Sequence, residues 1–227
     1  MIIITGASRG IGKYLFEKYW KTGEIVYGIY NLTNPDTDKR EFFTKVDISN
    51  NSDITNWIEK IKSKITKLTL INSAGINYSS SAHKADVNKW SQVININLIG
   101  TFNVIRAVLP LMRKEEYGRI INFSSVVAQT LIHGTSAYAA SKAGLWGLVK
   151  SIAAENAKKG ITINNLNLGY YNIGMINKVP HEFQEILKKK ILTGNFGNPE
   201  IIFKSINFLR ETDYINGTSI DINGGLF

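Results

Sequence analysis

Two residues four positions apart, Tyr138 and Lys142 in YAASK, have the types and the spacing to move a proton. The surrounding stretch, 137–158, carries the apolar periodicity of a long helix, so positions i and i+4 share one face. A free phenol has a pKa of about 10, too high to cycle easily near neutrality. An ammonium beside it favours the phenolate. Ser125 lies thirteen residues before Tyr138, at the expected end of a strand, where its hydroxyl would hold a substrate oxygen beside the phenol. A second grouping opens the chain: MIIITGASRGIG places Gly6, Gly10 and Gly12 directly after an apolar run. A strand that runs into a glycine-rich turn lets backbone approach a phosphate. Each feature alone has an ordinary alternative: Tyr138 starts a helix, Lys142 is solvated, Ser125 ends a strand, and the glycines make a strand-to-helix turn.

Such residues need a scaffold that gathers them. Apolar runs of strand length occur at 2–5, 25–30, 43–46, 68–71, 119–123, 161–166 and 219–222. Helical patterns alternate with them at 13–22, 54–65, 87–112 (with Pro110 near its end), 137–158 and 201–209. This order predicts an α/β fold: a single-domain, doubly wound (Rossmann) parallel sheet of about seven strands with helices on both faces. A small helical lid is expected at about 175–195, where Phe183, Ile186, Leu187 and Ile191 keep helical spacing. Ligands in such sheets sit beyond the carboxyl ends of the strands. That edge would collect Gly6 to Gly12, Asp47, Asn72 to Gly75, Ser124, Ser125 and Gly169.

The totals narrow the classes. The 227 residues are 44% hydrophobic and contain three histidines and no cysteine. Disulfides are excluded, and without an HExxH pattern no metal is expected. No stretch reads as a membrane span, and Met1 to Ile4 lacks the basic flank of a secretory signal, so a soluble cytoplasmic protein is expected. The formal charge of +9 suits anionic partners. The only tight basic run, Lys188 to Lys190, reads as a solvated helix face, and no zinc-finger, RNP or basic-zipper pattern points to nucleic acid.

Taken together, Thr5-Gly6-xxx-Gly10-x-Gly12, Asn97 in INLIGTF, Ser125 and the Tyr138/Lys142 pair resemble the short-chain dehydrogenase/reductase family. More narrowly they resemble its 3-oxoacyl-carrier-protein-reductase-type branch. INSAG at 71–75, NFGNPEII at 195–202 and INGTSIDINGG at 215–225 extend the likeness over the chain. The resemblance implies an NAD(P)-dependent oxidoreductase that interconverts a carbonyl and an alcohol. Hydride transfer needs a proton donor on the carbonyl oxygen, and Tyr138 takes that role. Lys142 would also bond the nicotinamide ribose, Ser125 the carbonyl oxygen, and Asn97 a water beside the lysine. The cofactor would meet Gly6, Ala7, Ser8, Arg9, Gly10, Ile11 and Gly12, then Asp47 and the Ile48 backbone at the adenine. Asn72, Ala74 and Gly75 would line the path to the nicotinamide, ending at Gly169, Tyr171 and Ile173. The stretch NLGYYNIGM departs from the family: Leu168 replaces a proline, and Ile173 stands where a threonine would hold the carboxamide. Glu115 and Glu116 weaken the case for an acyl carrier protein as substrate carrier. A nucleotide-sensing regulator on the same fold is the alternative, although such relatives usually lose the tyrosine or the lysine.

The second strand ends in Tyr30 and Asn31, with no acid before Asp36. NAD-specific sites place a carboxylate there, which repels a 2′-phosphate. With Arg9 in the glycine turn, NADP(H) is the expected cofactor and NAD(H) a possible one. The substrate expected is a small carbonyl or alcohol compound, with Gln129, His133 and Tyr171 as polar lining. A homo-oligomer, a tetramer, is expected through the two long helices, with Leu145, Trp146, Leu148 and Val149 facing Val104, Ile105, Val108 and Leu109.

Overall fold

The computed structural model describes residues 1–226. Seven strands form one wholly parallel sheet in the order β3-β2-β1-β4-β5-β6-β7. They are β1 (Ile2–Thr5), β2 (Val26–Tyr30), β3 (Phe43–Lys45), β4 (Thr69–Asn72), β5 (Gly118–Ser125), β6 (Ile161–Leu168) and β7 (Ser219–Ile222). The order reverses between β1 and β4, which makes their carboxyl ends the topological switch point where such sheets bind ligands.

The strands read as apolar runs because helices cover both faces. One face carries Ile3, Leu70, Ile120 and Ile163 under α2 (Asn51–Ile61), α4 (Thr101–Glu115) and α5 (Ser136–Asn156). The other carries Ile2, Ile4, Ile71, Ile121 and Leu166 under α1 (Gly10–Lys21) and α7 (Pro199–Glu211). A further helix, α6 (His181–Lys190), lies within the stretch expected as a helical lid.

The stretch expected as one helix at 87–112 is instead α3 (Val87–Ile94), a π-helical turn at Asn95–Gly100, and α4, with Pro110 inside α4. A π turn inserts one residue per turn and is often found at functional sites; here it carries Asn97. The same run, Val87–Glu115, holds an 18-residue window of mean hydropathy 1.4, long and apolar enough to cross a membrane, contrary to the sequence expectation. Its apolar residues Val104, Ile105, Val108 and Met112 are spent on the sheet.

That core also corrects the expected pairing face. Leu145, Val149, Val104, Ile105 and Val108 are all buried within the chain's own core. The outward groove between α4 and α5, about 310 Å³, is lined instead by Phe102, Leu109, Pro110 and Leu148, with Arg106 and Arg113 beside them.

Candidate active site

The turn after β1 is shaped by close approach. Gly6 has φ +66°, and a Cβ there would lie 2.8 Å from the Ala74 Cα. A Cβ on Gly12 would collide with the Gly6 carbonyl oxygen, so strand and helix pack backbone to backbone. Arg9 is the extended N-cap of α1, with no side-chain cap and no acid in the first turn. By contrast, Asn50, Asp86 and Asn198 cap α2, α3 and α7 with side-chain oxygens. The α1 amides and the positive end of its dipole therefore face the switch point uncapped, as an anion requires. Ala7 and Ser8 are buried, and the Ala7 amide bonds Ile29 O at 3.0 Å, so Ala7 ties the turn to β2. Ile11 packs against the core on the α1 face of the sheet, and Arg9 is exposed.

At the residues expected to meet the adenine, the Asp47 carboxylate accepts from the Ser49 amide (2.9 Å) and hydroxyl (2.6 Å). The Ile48 side chain is core, and its carbonyl accepts from Asn103 Nδ2 at 3.2 Å. Asn31 is partly exposed at the tip of β2, and Asp36 lies 3.7 Å from Lys13.

The Asn72 side chain is 4% exposed and turns along the sheet. Its Nδ2 donates to Asn122 Oδ1 (2.8 Å), Asn122 Nδ2 to Asn165 Oδ1 (3.2 Å), and Asn165 Nδ2 to Ser219 Oγ (3.0 Å). This amide row runs across four strands in register and leaves Asn72 Oδ1 buried without a partner. Asn72 can thus offer a dinucleotide only backbone or that one acceptor. The Ala74 amide is bonded to Thr5 Oγ1 at 3.0 Å. At Gly75, an added Cβ would lie 3.3 Å from Asn97 Oδ1 and 3.8 Å from Lys142 Nζ, filling the space beside the lysine.

The four expected catalytic residues converge beside that space. Asn97, fully buried, brackets Ile76: Oδ1 accepts from its amide and Nδ2 donates to its carbonyl, both at 2.9 Å. Asn97 Nδ2 also bonds Ser141 Oγ on α5 at 3.1 Å. Lys142, 5% exposed, donates from Nζ to the Phe123 carbonyl at 2.7 Å, and Nζ lies 5.5 Å from the Tyr138 ring centroid. Burial lowers its pKa to about 8. Tyr138 is partly exposed, while burial around its hydroxyl pushes the pKa up to about 12; the nearby Ser125 hydroxyl pulls it back, and the neighbouring Tyr170 pushes it up further. The expectation that Lys142 draws Tyr138 toward the phenolate is therefore not met. The ammonium is held by a main-chain carbonyl, and desolvation governs both groups. The pair stands as a neutral phenol beside a cation that loses its proton readily.

At the far end, a Cβ on Gly169 would lie 2.7 Å from the Asn223 Cα, so this glycine makes room for the end of β7. Ile173 packs its side chain among the α1 and α7 residues, and its amide bonds Tyr171 O at 2.7 Å. Without a hydroxyl, position 173 offers a carboxamide only main chain. The three polar residues expected to line the substrate cleft are engaged elsewhere. Tyr171 donates to Ile222 O at 2.7 Å, His133 bonds Ser81 Oγ at 3.2 Å, and Gln129 donates to Asp221 at 2.5 Å. A further polar group near enough to Tyr138 to raise its pKa is Tyr170, packed with Val126, Ile191, Phe196 and Leu226. Its signal was present in the sequence: the residue directly after a strand-ending glycine at the ligand edge.

A family model for the short chain dehydrogenases matches residues 1–183. The chain belongs to the short-chain dehydrogenase/reductase family and is an NAD(P)-dependent oxidoreductase of its 3-oxoacyl-carrier-protein-reductase-like branch. It is 35% identical to the 3-oxoacyl-acyl-carrier-protein reductase of Thermotoga maritima, over 99% of this chain and 96% of that one. It is 34% identical to the acetoacetyl-CoA reductase of Shinella zoogloeoides, over 99% and 97%. The solved 3-oxoacyl-acyl-carrier-protein reductase of Brucella melitensis superposes with a TM-score of 0.90 at 26% identity, covering 99% of this chain and 90% of that one.

Proposed function

We propose that the protein reduces a carbonyl to an alcohol with NADPH, and that Tyr138 gives the proton. The observation that carries this reading is the buried Lys142, which ties the α5 turn bearing Tyr138 to the β5 end bearing Ser125: its Nζ bonds Phe123 O at 2.7 Å and lies 5.5 Å from the Tyr138 ring. The bound nicotinamide supplies the hydride. Ser125 and Tyr138 hold the carbonyl oxygen, and the phenol, protonated at neutral pH, passes its proton to that oxygen as it gains charge. Lys142, anchored on Phe123, keeps a positive charge next to the phenol. The uncapped α1 amides and Arg9 hold the diphosphate end. The relatives' names support a 3-oxoacyl thioester as the substrate class. Steady-state NADPH oxidation over a ketone panel that includes acetoacetyl-CoA tests the reading. Turnover of at least one member is expected, and tight NADPH binding with none turned over would overturn it.

The acid–base pair fixes a pH profile. Burial disfavours the charged form, which raises Tyr138 and lowers Lys142. Tyr138 therefore stays protonated through the neutral range while Lys142 loses its charge above about pH 8. The kcat/KM for reduction is expected to be level from about pH 6 to about pH 8 and to fall above that. A fall below neutrality would contradict it.

The NADPH preference rests on the neutral tip of β2 at Asn31 and on the unpaired, exposed Arg9. In Arg9→Ala, kcat/KM with NADPH is expected to fall about tenfold, the loss of one charge-assisted contact, with NADH little changed. Equal losses with both cofactors would refute it.

The α4–α5 groove supports self-association: Phe102, Leu109 and Leu148 present apolar surface that one chain leaves uncovered. Light scattering at micromolar concentration is expected to give a tetramer, and a monomer would count against it.

A further inference from the structure

Beside the Tyr138/Lys142 turn lies a second polar row, built on three residues, Trp146, Asn167 and Asp221, to which no site role was expected. Trp146 follows Lys142 by one turn of α5, and its indole Nε1 is a forked donor, 3.1 Å from Ser124 Oγ and 3.2 Å from Asn167 Oδ1. Ser124 Oγ donates in turn to the main-chain carbonyl of Lys142 at 3.0 Å. On the other side, Asn167 Nδ2 donates to Asp221 Oδ1 at 2.8 Å, and that oxygen also accepts from Gln129 Nε2 at 2.5 Å. Ser124, Asn167 and Asp221 are register partners on β5, β6 and β7. Ser124 and Asn167 are 2% and 1% exposed.

Apolar side chains would fill this sheet face at lower cost, since buried polar groups gain little net stability even when fully paired. What a paired network adds is fixed geometry. This one reaches both halves of the candidate active site. Through Ser124 it pins the Lys142 turn to the strand end that carries Ser125, on the carbonyl side, while Lys142 Nζ pins it to Phe123. Through Asp221 and Gln129 it ties the loop that follows Ser125 to the last strand.

We propose that Trp146, Asn167 and Asp221 form a positioning relay that holds the Lys142 turn and the 126–129 loop in place for the proposed reduction. The proposal rests on the reductase reading for its kinetic consequence, but its structural consequence does not. None of the three touches the reacting groups; they act through Ser124, Lys142 and Gln129.

The test exchanges the two ends of one hydrogen bond. Asn167→Asp sets two carboxylates against each other where amide and carboxylate now meet. It is expected to lower kcat about tenfold or more, the scale of an ångström-level misplacement, with little change in NADPH binding. Asn167→Asp combined with Asp221→Asn restores a donor facing an acceptor and keeps the acceptor for Trp146, while Gln129 turns its amide so that Oε1 accepts from the new donor at 221. This double variant is expected to recover kcat to within about threefold. Trp146→Phe, which keeps an aromatic ring and loses the donor, should resemble the single variant. Hydrogen–deuterium exchange of segments 124–129 and 138–146 reads the same cycle without turnover: faster in Asn167→Asp, restored in the double variant. Gln129→Leu, at the exposed end of the row, should speed exchange in 124–129 alone and keeps the test available if a buried variant fails to fold. A double variant no better than Asn167→Asp in exchange, or unchanged exchange in Asn167→Asp, Trp146→Phe and Gln129→Leu, would overturn the relay. An intact exchange cycle in a protein that reduces no ketone would overturn the reductase reading alone.

Discussion

Tyr138→Phe is expected to abolish ketone reduction while leaving NADPH binding and folding intact. The substitution removes one oxygen. The ring remains in its place on α5, at a partly exposed position rather than in the core. Positioned acid catalysis contributes roughly 10² to 10⁴-fold, so the rate should fall by at least the lower figure. Ser125→Ala should fall less, because Ser125 holds the oxygen but gives it no proton. If Tyr138→Phe retains more than about a tenth of the rate, the proton comes from elsewhere, and Tyr170 is the phenol to replace next.

Lys142→Met should be inactive yet folded, with a pH signature in its stability. The wild-type lysine is nearly fully buried and its pKa is depressed from 10.5 to about 8. Below about pH 8 the folded and unfolded chains both carry the proton, and the cost of burying the charge is fully present. Between about pH 8 and its unfolded value the unfolded chain holds a proton that the folded chain has lost, so stability rises with pH in that window. The shift corresponds to roughly 3 kcal/mol. Methionine has no charge to bury, so the variant should be at least as stable near pH 7 except for the unpaired Phe123 carbonyl, which costs about 1–3 kcal/mol. Wild type should then gain on the variant as the pH rises toward 10. Thermal unfolding of both proteins at pH 7 and pH 10 measures this, and a stability difference independent of pH would contradict the buried-cation description.

The alternation of apolar runs and helical periods led to the right sheet, because parallel strands covered on both faces keep enough apolar residues for each run to stand out, even in β6, where asparagines interrupt it. Boundaries shifted where local capping decided them: α2 begins at Asn51 because Asn50 accepts from the Ser52 and Asp53 amides, three residues before the first apolar position. The π turn was not legible, since INLIG keeps helical apolar spacing and the inserted residue appears only in the main-chain bonding. Residue types and spacing picked out the candidate site residues that the fold brings together, but not their electrostatics. Sequence places an ammonium and a phenol on one helix face; only packing reveals that Lys142 bonds Phe123 and that burial, not attraction, sets both pKa values. The same holds for the cleft. Gln129, His133 and Tyr171 are polar in sequence, yet each is satisfied by a partner distant along the chain, and the amide rows through Asn122, Asn165 and Asn167 emerge only when the strands are set in register.

The central claim is hydride delivery to a carbonyl at the Tyr138 site, and isotope transfer measures it directly. With NADPH carrying deuterium at the reactive carbon of the nicotinamide, one face at a time, the alcohol formed from acetoacetyl-CoA or another accepted ketone should carry the label at the former carbonyl carbon from one face only. Tyr138→Phe should bind the labelled cofactor equally well and give no labelled alcohol. Unlabelled product, or label transfer undiminished in Tyr138→Phe, would contradict the account.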